Sequence, residues 1–264
     1  MLTLSVVSHG QAALVHTLLR DVAARVRTPV RVIVTVNIPE TLPFQAADFA
    51  FPLEILHNDS PKGFGANHNA AFKHCRDSYF CVLNPDISFP EDPFPPLLAA
   101  LARDPQLGLV APLILDPNGA IEASSRPFPT PAYILRKALF GAPRRPHYPI
   151  GAEPISPDWV GGMFMLLPAQ VFAAVGGFDE RYFMYYEDVD LCARVRGAGL
   201  DVRLDPSARA VHAARRDSHR RARYLAWHLR SMLRFWMSEA YASARRRARR
   251  ASSNPQRKNE NMPG

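Results

Sequence analysis

Cysteine is scarce in this chain. Three occur among 264 residues, Cys75, Cys81 and Cys192, with no metal-binding or redox spacing. An odd, scattered set excludes a disulfide framework and points to a reducing compartment, so a cytoplasmic location is expected. Long apolar runs are lacking as well. No window approaches the roughly 18 consecutive apolar residues of a membrane span, and none is expected. The first residues, MLTLSVVSHGQ, have neither the charged leader nor the long apolar core of a signal peptide, and no secretion signal is expected there. No internal repeat is found, which argues against a solenoid.

What is present is an ordinary globular composition. Hydrophobic residues make up 47% of the chain, enough for the core of one large domain or two small ones. The net charge of +8 is unevenly spread. From Ala213 onward there are fourteen Lys and Arg against three acids; Met1 to His212 has eighteen against twenty-one. The basic character therefore belongs to the C-terminal part alone.

Along the chain, apolar runs alternate with helical patterns. Leu2–Val7 reads as a buried strand ending at Ser8-His9-Gly10. Ala12–Val26 follows with Leu14, Leu18, Val22 and Val26 at helical spacing. Val30–Val36, Leu53–Leu56 and Tyr79–Leu83 read as further strands, and Ala66–Cys75 as a helix. This alternation predicts an α/β sheet, at least partly parallel, with ligands beyond the carboxyl ends of its strands. Ser8, His9, Asn37, Asn84 and Asp86 stand at those ends.

Two strand ends carry further chemistry. In HNDSPKGFGANHNAAF, from His57 to Phe72, Gly63 and the glycine after Phe64 permit close backbone approach and Lys62 supplies a cation. Asn69 lies in the helix that follows. Such a loop suits a phosphate at a helix N-terminus, and serves equally as a plain turn. In CVLNPDISF, Asn84-Pro85-Asp86 is either an ordinary turn or the carriage of a metal-binding carboxylate, since one Asp with phosphates and waters can hold Mg²⁺ or Mn²⁺.

The stretch Gly176–Gly199, GGFDERYFMYYEDVDLCARVRGAG, sets Glu187, Asp188 and Asp190 among aromatics and then turns helical. Buried carboxylates are costly unless they are paired, metal-bound or used in chemistry. Acids also favour helix N-termini, which would make them caps.

Together these motifs resemble a family 2 glycosyltransferase of the rhamnosyltransferase-like branch. The matching pieces are SVVSHG, KGFGANHNAA, LNPD, the run from Asp158 to Gly199, and His212, in the family's order. The resemblance implies the GT-A nucleotide-diphospho-sugar transferase fold, a mixed central sheet flanked by helices. It implies an inverting, metal-dependent transfer of a sugar, rhamnose or similar, from a nucleotide donor to a saccharide or lipid-linked saccharide in cell-surface polysaccharide assembly. By position it makes Asp188 the catalytic base, with Glu187 orienting the acceptor or the base. It makes Asp86 and His212 the holders of a divalent Mg²⁺ or Mn²⁺. Ser8, His9, Asn37, Lys62, Gly63, Phe64, Asn69, Asn84 and Asp86 would bind the nucleotide sugar. Trp159, Gly161, Gly162 and Glu187 would meet the acceptor. Asp190 is expected to stabilise the helix start. One departure is plain: Val36-Asn37 stands where the family commonly has an aspartate on the nucleobase. That leaves open a non-catalytic sugar-nucleotide-binding protein.

Pro112–Asp158, rich in Pro and Arg, reads either as a cover over the acceptor side or as a solvated excursion. Ala132–Phe140 forms a short helix in that reading, with Tyr133, Leu135, Leu139 and Phe140 free for lipid or core. Arg126, Arg144 and Arg145 would face an anionic acceptor. Three regions are expected: a catalytic domain at 1–212, a basic amphipathic helix within 213–240, and a disordered tail at 241–264. In Arg220–Met237 the residues Leu225, Leu229, Met232, Leu233 and Trp236 share one face. Arg220, Arg223, Arg230 and Arg234 lie mostly elsewhere. That face suits either an anionic membrane surface, contacted through 220–250 on the inner side of the plasma membrane, or the body of the protein. Cutting after Met237 is expected to leave the fold intact. A nucleic-acid partner is disfavoured, because no binding motif accompanies the arginines.

Overall fold

The computed structural model describes residues 1–141, 148–213 and 222–253. Arg144, Arg145 and Arg220 lie outside the described residues, as does the side chain of Arg223.

The first half alternates as its sequence pattern requires. Strand β1 (Leu2–Ser8) leads to helix α1 (Ala12–Arg25), then β2 (Val30–Val36), β3 (Leu53–His57), α2 (Phe64–Phe72) and β4 (Tyr79–Leu83). β1 pairs in parallel with β2 on one side and β4 on the other, and β2 with β3. These strands are near-continuous apolar runs because both faces of the sheet are covered. A short β5 (Ile87–Ser88) and α3 (Phe94–Arg103) precede β6 (Leu107–Leu115), β7 (Ser125–Arg126) and α4 (Pro131–Phe140). Thr130 caps α4 by accepting from the Tyr133 N–H, and Pro131 opens its first turn.

The second half closes the sheet. It comprises β8 (Trp159–Val160), β9 (Phe164–Pro168), α5 (Ala169–Ala174), α6 (Glu187–Gly197), β10 (Asp201–His212), α7 (Ala222–Trp236) and α8 (Glu239–Ser253). The eight-stranded order is β3-β2-β1-β4-β9-β6-β10-β5, with β9 antiparallel to both neighbours and β5 antiparallel to β10. The sheet is thus mixed. Its parallel strands change direction of connection between β1 and β4, which opens a crevice beyond their carboxyl ends.

Three apolar clusters hold the elements. One lies between the sheet and α1 and α3, around Leu4, Leu19, Phe94 and Phe164. A second lies on the other face, around Phe80, Phe172, Phe178 and Val195. The third joins α6 to the C-terminal helices through Tyr182, Tyr186, Val189, Met232, Phe235, Tyr241 and Ala244. Phe235 is fully buried there, and truncating such a side chain to alanine costs about 3–5 kcal/mol.

The third cluster corrects two expectations. The stretch from 241 is not an unstructured tail throughout: α8 continues to Ser253, with Tyr241 and Ala244 buried. Cutting after Met237 would remove that cover from α6, so a loss of stability is expected in place of a neutral cut. The alanines of EAYASARRRARRASS explain the helix, since they favour helical backbone and leave a narrow seam on which α6 can pack. The α7 face splits as well. Met232 and Phe235 turn inward, while Leu225, Leu229 and Leu233 stay exposed.

Candidate active site

A cavity of about 780 Å³ lies beyond the carboxyl ends of β1, β2 and β4. His9, Asn37, Lys62, Phe64, Asn84, Asp86, Gly162, Glu187 and Asp188 all border it.

Its floor is fixed by Asn37. The side-chain oxygen accepts from the Lys62 N–H at 2.8 Å and from the Asn58 amide at 2.9 Å. Its NH₂ donates to the Lys62 carbonyl at 3.0 Å and to His9 Nδ1 at 2.9 Å. His9 Nδ1 therefore accepts, and the ring proton sits on Nε2. Asn58 also donates to Asn67 at 2.6 Å. An aspartate at 37 could not make the two donations, so the asparagine belongs to the way this loop is tied down. Asn58 escaped the sequence reading, and Asn67, which the sequence places at the start of the helix, proves to tie the loop down from inside α2.

The wall carrying Glu187 and Asp188 is strained. Tyr185 and Tyr186 both have φ of 69°, in the left-handed region. Such residues cost on the order of 1–3 kcal/mol each and persist only when surroundings hold them. Helix α7 does the holding: Ser231 donates to the Met184 carbonyl at 3.0 Å, and His228 packs on both tyrosine rings. Gly63 meets the same turn from α2, where an added Cβ would lie 2.6 Å from the Phe183 carbonyl oxygen. The turn delivers both carboxyl groups to the first turn of α6, facing the cavity.

The two acids differ. Asp188 accepts from the Gly162 N–H at 3.0 Å and the Val189 N–H at 2.8 Å. Burial pushes its carboxyl above the usual range, against those two donors and the charge of Arg126. Glu187 is pushed up further, by burial and then by the Asp188 charge, and its buried Oε2 has no hydrogen-bond partner. The pair therefore holds its first proton on Glu187 and leaves Asp188 as the more readily ionised member. Asp190 stands in the first turn of α6, as expected, and also pairs with Arg194 at 2.8 Å, and Arg194 donates to the carbonyls of Val175 and Gly177.

Asp86 meets His212 across the sheet edge formed by β5 and β10. Asp86 Oδ1 lies 3.3 Å from His212 Nε2, and His212 Nδ1 is 2.8 Å from Glu122. Burial works against charge on this imidazole, but the two carboxylates outweigh it and push its pKa up to about 9. Asp86 Oδ1 is buried and lacks a properly aligned hydrogen bond. This small pocket is built around positive charge. An orphaned carboxylate oxygen beside an imidazole whose far nitrogen is oriented by a second carboxylate fits a divalent cation. Among the described residues no three His, Cys, Asp or Glu side chains form a metal-holding group. Glu122 is a residue that sequence reading missed, lying 90 positions from its partner with no motif around it.

Five expected contacts fall elsewhere. Asn69 faces away from the cavity and clamps Phe178, accepting from its N–H and donating to its carbonyl, both at 2.8 Å. Ser8 accepts from the Gln11 N–H at the start of α1. Gly63 packs under the tyrosine turn. Trp159 and Gly161 stand behind Gly162, with Trp159 Nε1 donating to the Pro127 carbonyl and the Gly161 N–H donating to the Ser124 carbonyl. In their place α7 supplies Tyr224 and Trp227 to the cavity wall.

The fold is shared with solved glycosyltransferases. It superposes on GalNAc-T7, solved with UDP, GalNAc and Mn²⁺, with a TM-score of 0.67 at 13% identity, over 91% of this chain and 48% of that one. It matches the mannosyltransferase PcManGT from Pyrobaculum calidifontis, solved with GDP-Man and Mn²⁺, with a TM-score of 0.61 at 17% identity, over 96% and 75%. The architecture is GT-A. Residues 5–144 match the sequence profile of Glycosyl transferase family 2, and the chain belongs to that family. Among its relatives is the N-acetylglucosaminyl-diphospho-decaprenol L-rhamnosyltransferase of Mycobacterium tuberculosis, 38% identical over 144 residues, which are 52% of this chain and 47% of that protein. The chain thus matches about half the length of that relative. The rhamnosyltransferase WbbL of Escherichia coli K12 is 28% identical over 246 residues, 89% of this chain and 92% of WbbL.

Proposed function

We propose that the protein is an inverting, divalent-metal-dependent glycosyltransferase of the cytoplasm. In this reading it moves a sugar, rhamnose from a dTDP-rhamnose donor, to a saccharide or lipid-linked saccharide in cell-surface polysaccharide assembly. The observation that carries the reading is a fixed carboxylate, Asp188, facing the same cavity as Asp86, whose partner is His212. The two relatives named as rhamnosyltransferases support the sugar, and the decaprenol-linked name of one supports a lipid-linked acceptor.

The chain's own residues divide the work. Ionised Asp188 takes the proton of the acceptor hydroxyl as that oxygen bonds to the anomeric carbon and the bond to the diphosphate breaks. The N–H groups of Gly162 and Val189 hold the carboxylate in one orientation for this. Protonated Glu187 donates a hydrogen bond to the acceptor or to the transferred sugar. Asp86 and His212 would hold the cation, with Glu122 turning the imidazole. Once bound, that cation would neutralise charge on the leaving diphosphate. Lys62 meets the phosphates, and His9 and Asn37 line the nucleotide end. Gly162 lets the acceptor approach the backbone, while Tyr185, Tyr224 and Trp227 limit water. Residues 1–212 form the catalytic unit, and α7 braces it.

The altered Asn37 does not favour a non-catalytic binder, because its four side-chain hydrogen bonds keep the Lys62 loop in place. The test is a thermal-shift screen of nucleotide sugars with and without Mn²⁺, followed by donor hydrolysis and transfer. A metal-dependent shift with one donor is expected. No shift and no hydrolysis with any donor would remove the reading.

A further inference from the structure

We infer that the paired outer faces of α4 and α7 form a docking surface for an anionic lipid bilayer, and that the donor cavity is held beside that bilayer. The surface part of the inference stands on the exposed side chains alone. The placement of the cavity matters only if the glycosyl-transfer reading is right.

The starting point is a contradiction within α7. Its inward face, with Ser231, Met232 and Phe235, packs on the tyrosine turn and α6. Leu225, Leu229, Leu233 and Met237, four residues apart each time, run along the helix as a second apolar stripe. They are 62%, 45%, 52% and 81% exposed. A helix needs only one apolar face to pack on its own domain, so a second stripe calls for another partner.

Helix α4 extends that stripe. Leu135, Leu139 and Phe140 are also largely exposed. Trp236 shares the stripe's side of α7, three residues beyond Leu233, and its Nε1 donates to the Pro129 carbonyl immediately before α4. Phe128 packs on Phe235 at 5.9 Å, and Ile134 packs on the same cluster from α4. The N-terminal end of α4 therefore lies against α7, and the exposed apolar side chains of α4 add to those of α7.

Charge selects the occupant. Neither Pro131–Phe140 nor Ala222–Trp236 contains an acid. Arg136, Arg230, Arg245 and Arg246 are exposed on these helices and on α8. Apolar side chains on two helices that carry arginine and no acid match the interfacial layer of an anionic bilayer, with the exposed Glu239 lying beyond them at the start of α8: the leucines enter the acyl boundary and the guanidinium groups meet lipid phosphates. No described residue covers these side chains. Residues 142–147, 214–221 and 254–264 are polar and basic, with Met262 their one large apolar side chain apart from prolines.

The geometry gives docking a use. α7 presents its leucines outward and Tyr224 and Trp227 to the cavity. One helix thus borders both the surface and the site, which would hold a lipid-linked sugar near its carrier membrane.

The test uses the full chain and vesicles of phosphatidylglycerol mixed with phosphatidylcholine, beside vesicles of phosphatidylcholine alone. The protein is expected to sediment with the anionic vesicles at low salt and to be partly released at high salt. Leu225→Ser/Leu229→Ser/Leu233→Ser should weaken that partitioning by a factor on the order of 10². Arg136→Glu/Arg230→Glu should abolish the preference for anionic lipid. Calorimetry with a nucleoside diphosphate and Mn²⁺ should give the same affinity for every variant, which separates lost docking from lost folding or a failed site assignment. Equal sedimentation with both vesicle types, or none with either, would overturn the inference. So would a dimer in solution that the leucine substitutions dissociate, because a second copy would then own the surface.

Discussion

Replacing Asp188 with asparagine keeps the shape of the side chain and removes its ability to take a proton. The structure sets the expected size of the effect in two parts. Loss of a general base costs a factor on the order of 10²–10⁴ in rate. The second part concerns the fold. Asp188 accepts from two N–H groups, of Gly162 and Val189, and an amide has an oxygen for one of them and an NH₂ facing the other. An unsatisfied buried donor costs about 1–3 kcal/mol, partly offset by removal of a buried charge. Glu187 responds as well: the Asp188 charge is one of the causes that raise its carboxyl, so in Asp188→Asn it moves back toward the ordinary range. The assay is initial rate of sugar transfer beside the dissociation constant for donor, for Asp188→Asn and Glu187→Gln. Asp188→Asn should lose transfer with donor affinity nearly unchanged, and Glu187→Gln should lose less. Near-normal turnover in Asp188→Asn with a dead Glu187→Gln would exchange the two roles. Turnover retained in both would make the pair structural and refute the reasoning.

Three further outcomes are expected. A carboxyl raised by folding stabilises the folded state below its unfolded pKa and loses that contribution as pH rises through the folded value, so Glu187→Gln should raise Tm more at about pH 8 than at about pH 4 in thermal scans. Asp86→Ala should abolish metal-dependent nucleoside-diphosphate binding in calorimetry, His212→Ala should weaken it, and Glu122→Gln should cost about 10–100-fold through the imidazole it orients. Unchanged affinity in Asp86→Ala would rule out the cation site. Truncation after Met237 should lower Tm measurably, because it uncovers the α6 face now packed by Tyr241 and Ala244; an unaltered Tm would show that α8 contributes nothing.

Local patterns carried most of what the sequence revealed. The strand ends at His9, Asn37 and Asn84 follow from apolar runs that stop at polar residues, and the sheet delivers them to one crevice. Glu187 and Asp188 stood out because acids among aromatics are costly. What escaped was set by distance along the chain. Nothing beside Glu122 says that it will meet His212, and nothing in KGFGANHN distinguishes Lys62, which faces the cavity, from Asn69, which clamps Phe178 behind it. The pattern of α7 showed apolar residues on a helix. It could not show that Phe235 turns to the core while Leu229, a short way round the helix, does not, because that division depends on the tyrosine turn on which the helix rests.

The left-handed pair Tyr185-Tyr186 also constrains the order in which the protein can become competent during synthesis. The turn and both acids leave the ribosome well before α7, whose Ser231 and His228 hold the turn in its strained form. Until α7 has been made and has docked, the two tyrosines are free to relax and the acids they position have no fixed direction. A nascent chain can thus complete β1 to β4, with the Lys62 loop already tied to Asn37, before its carboxylates are set in direction.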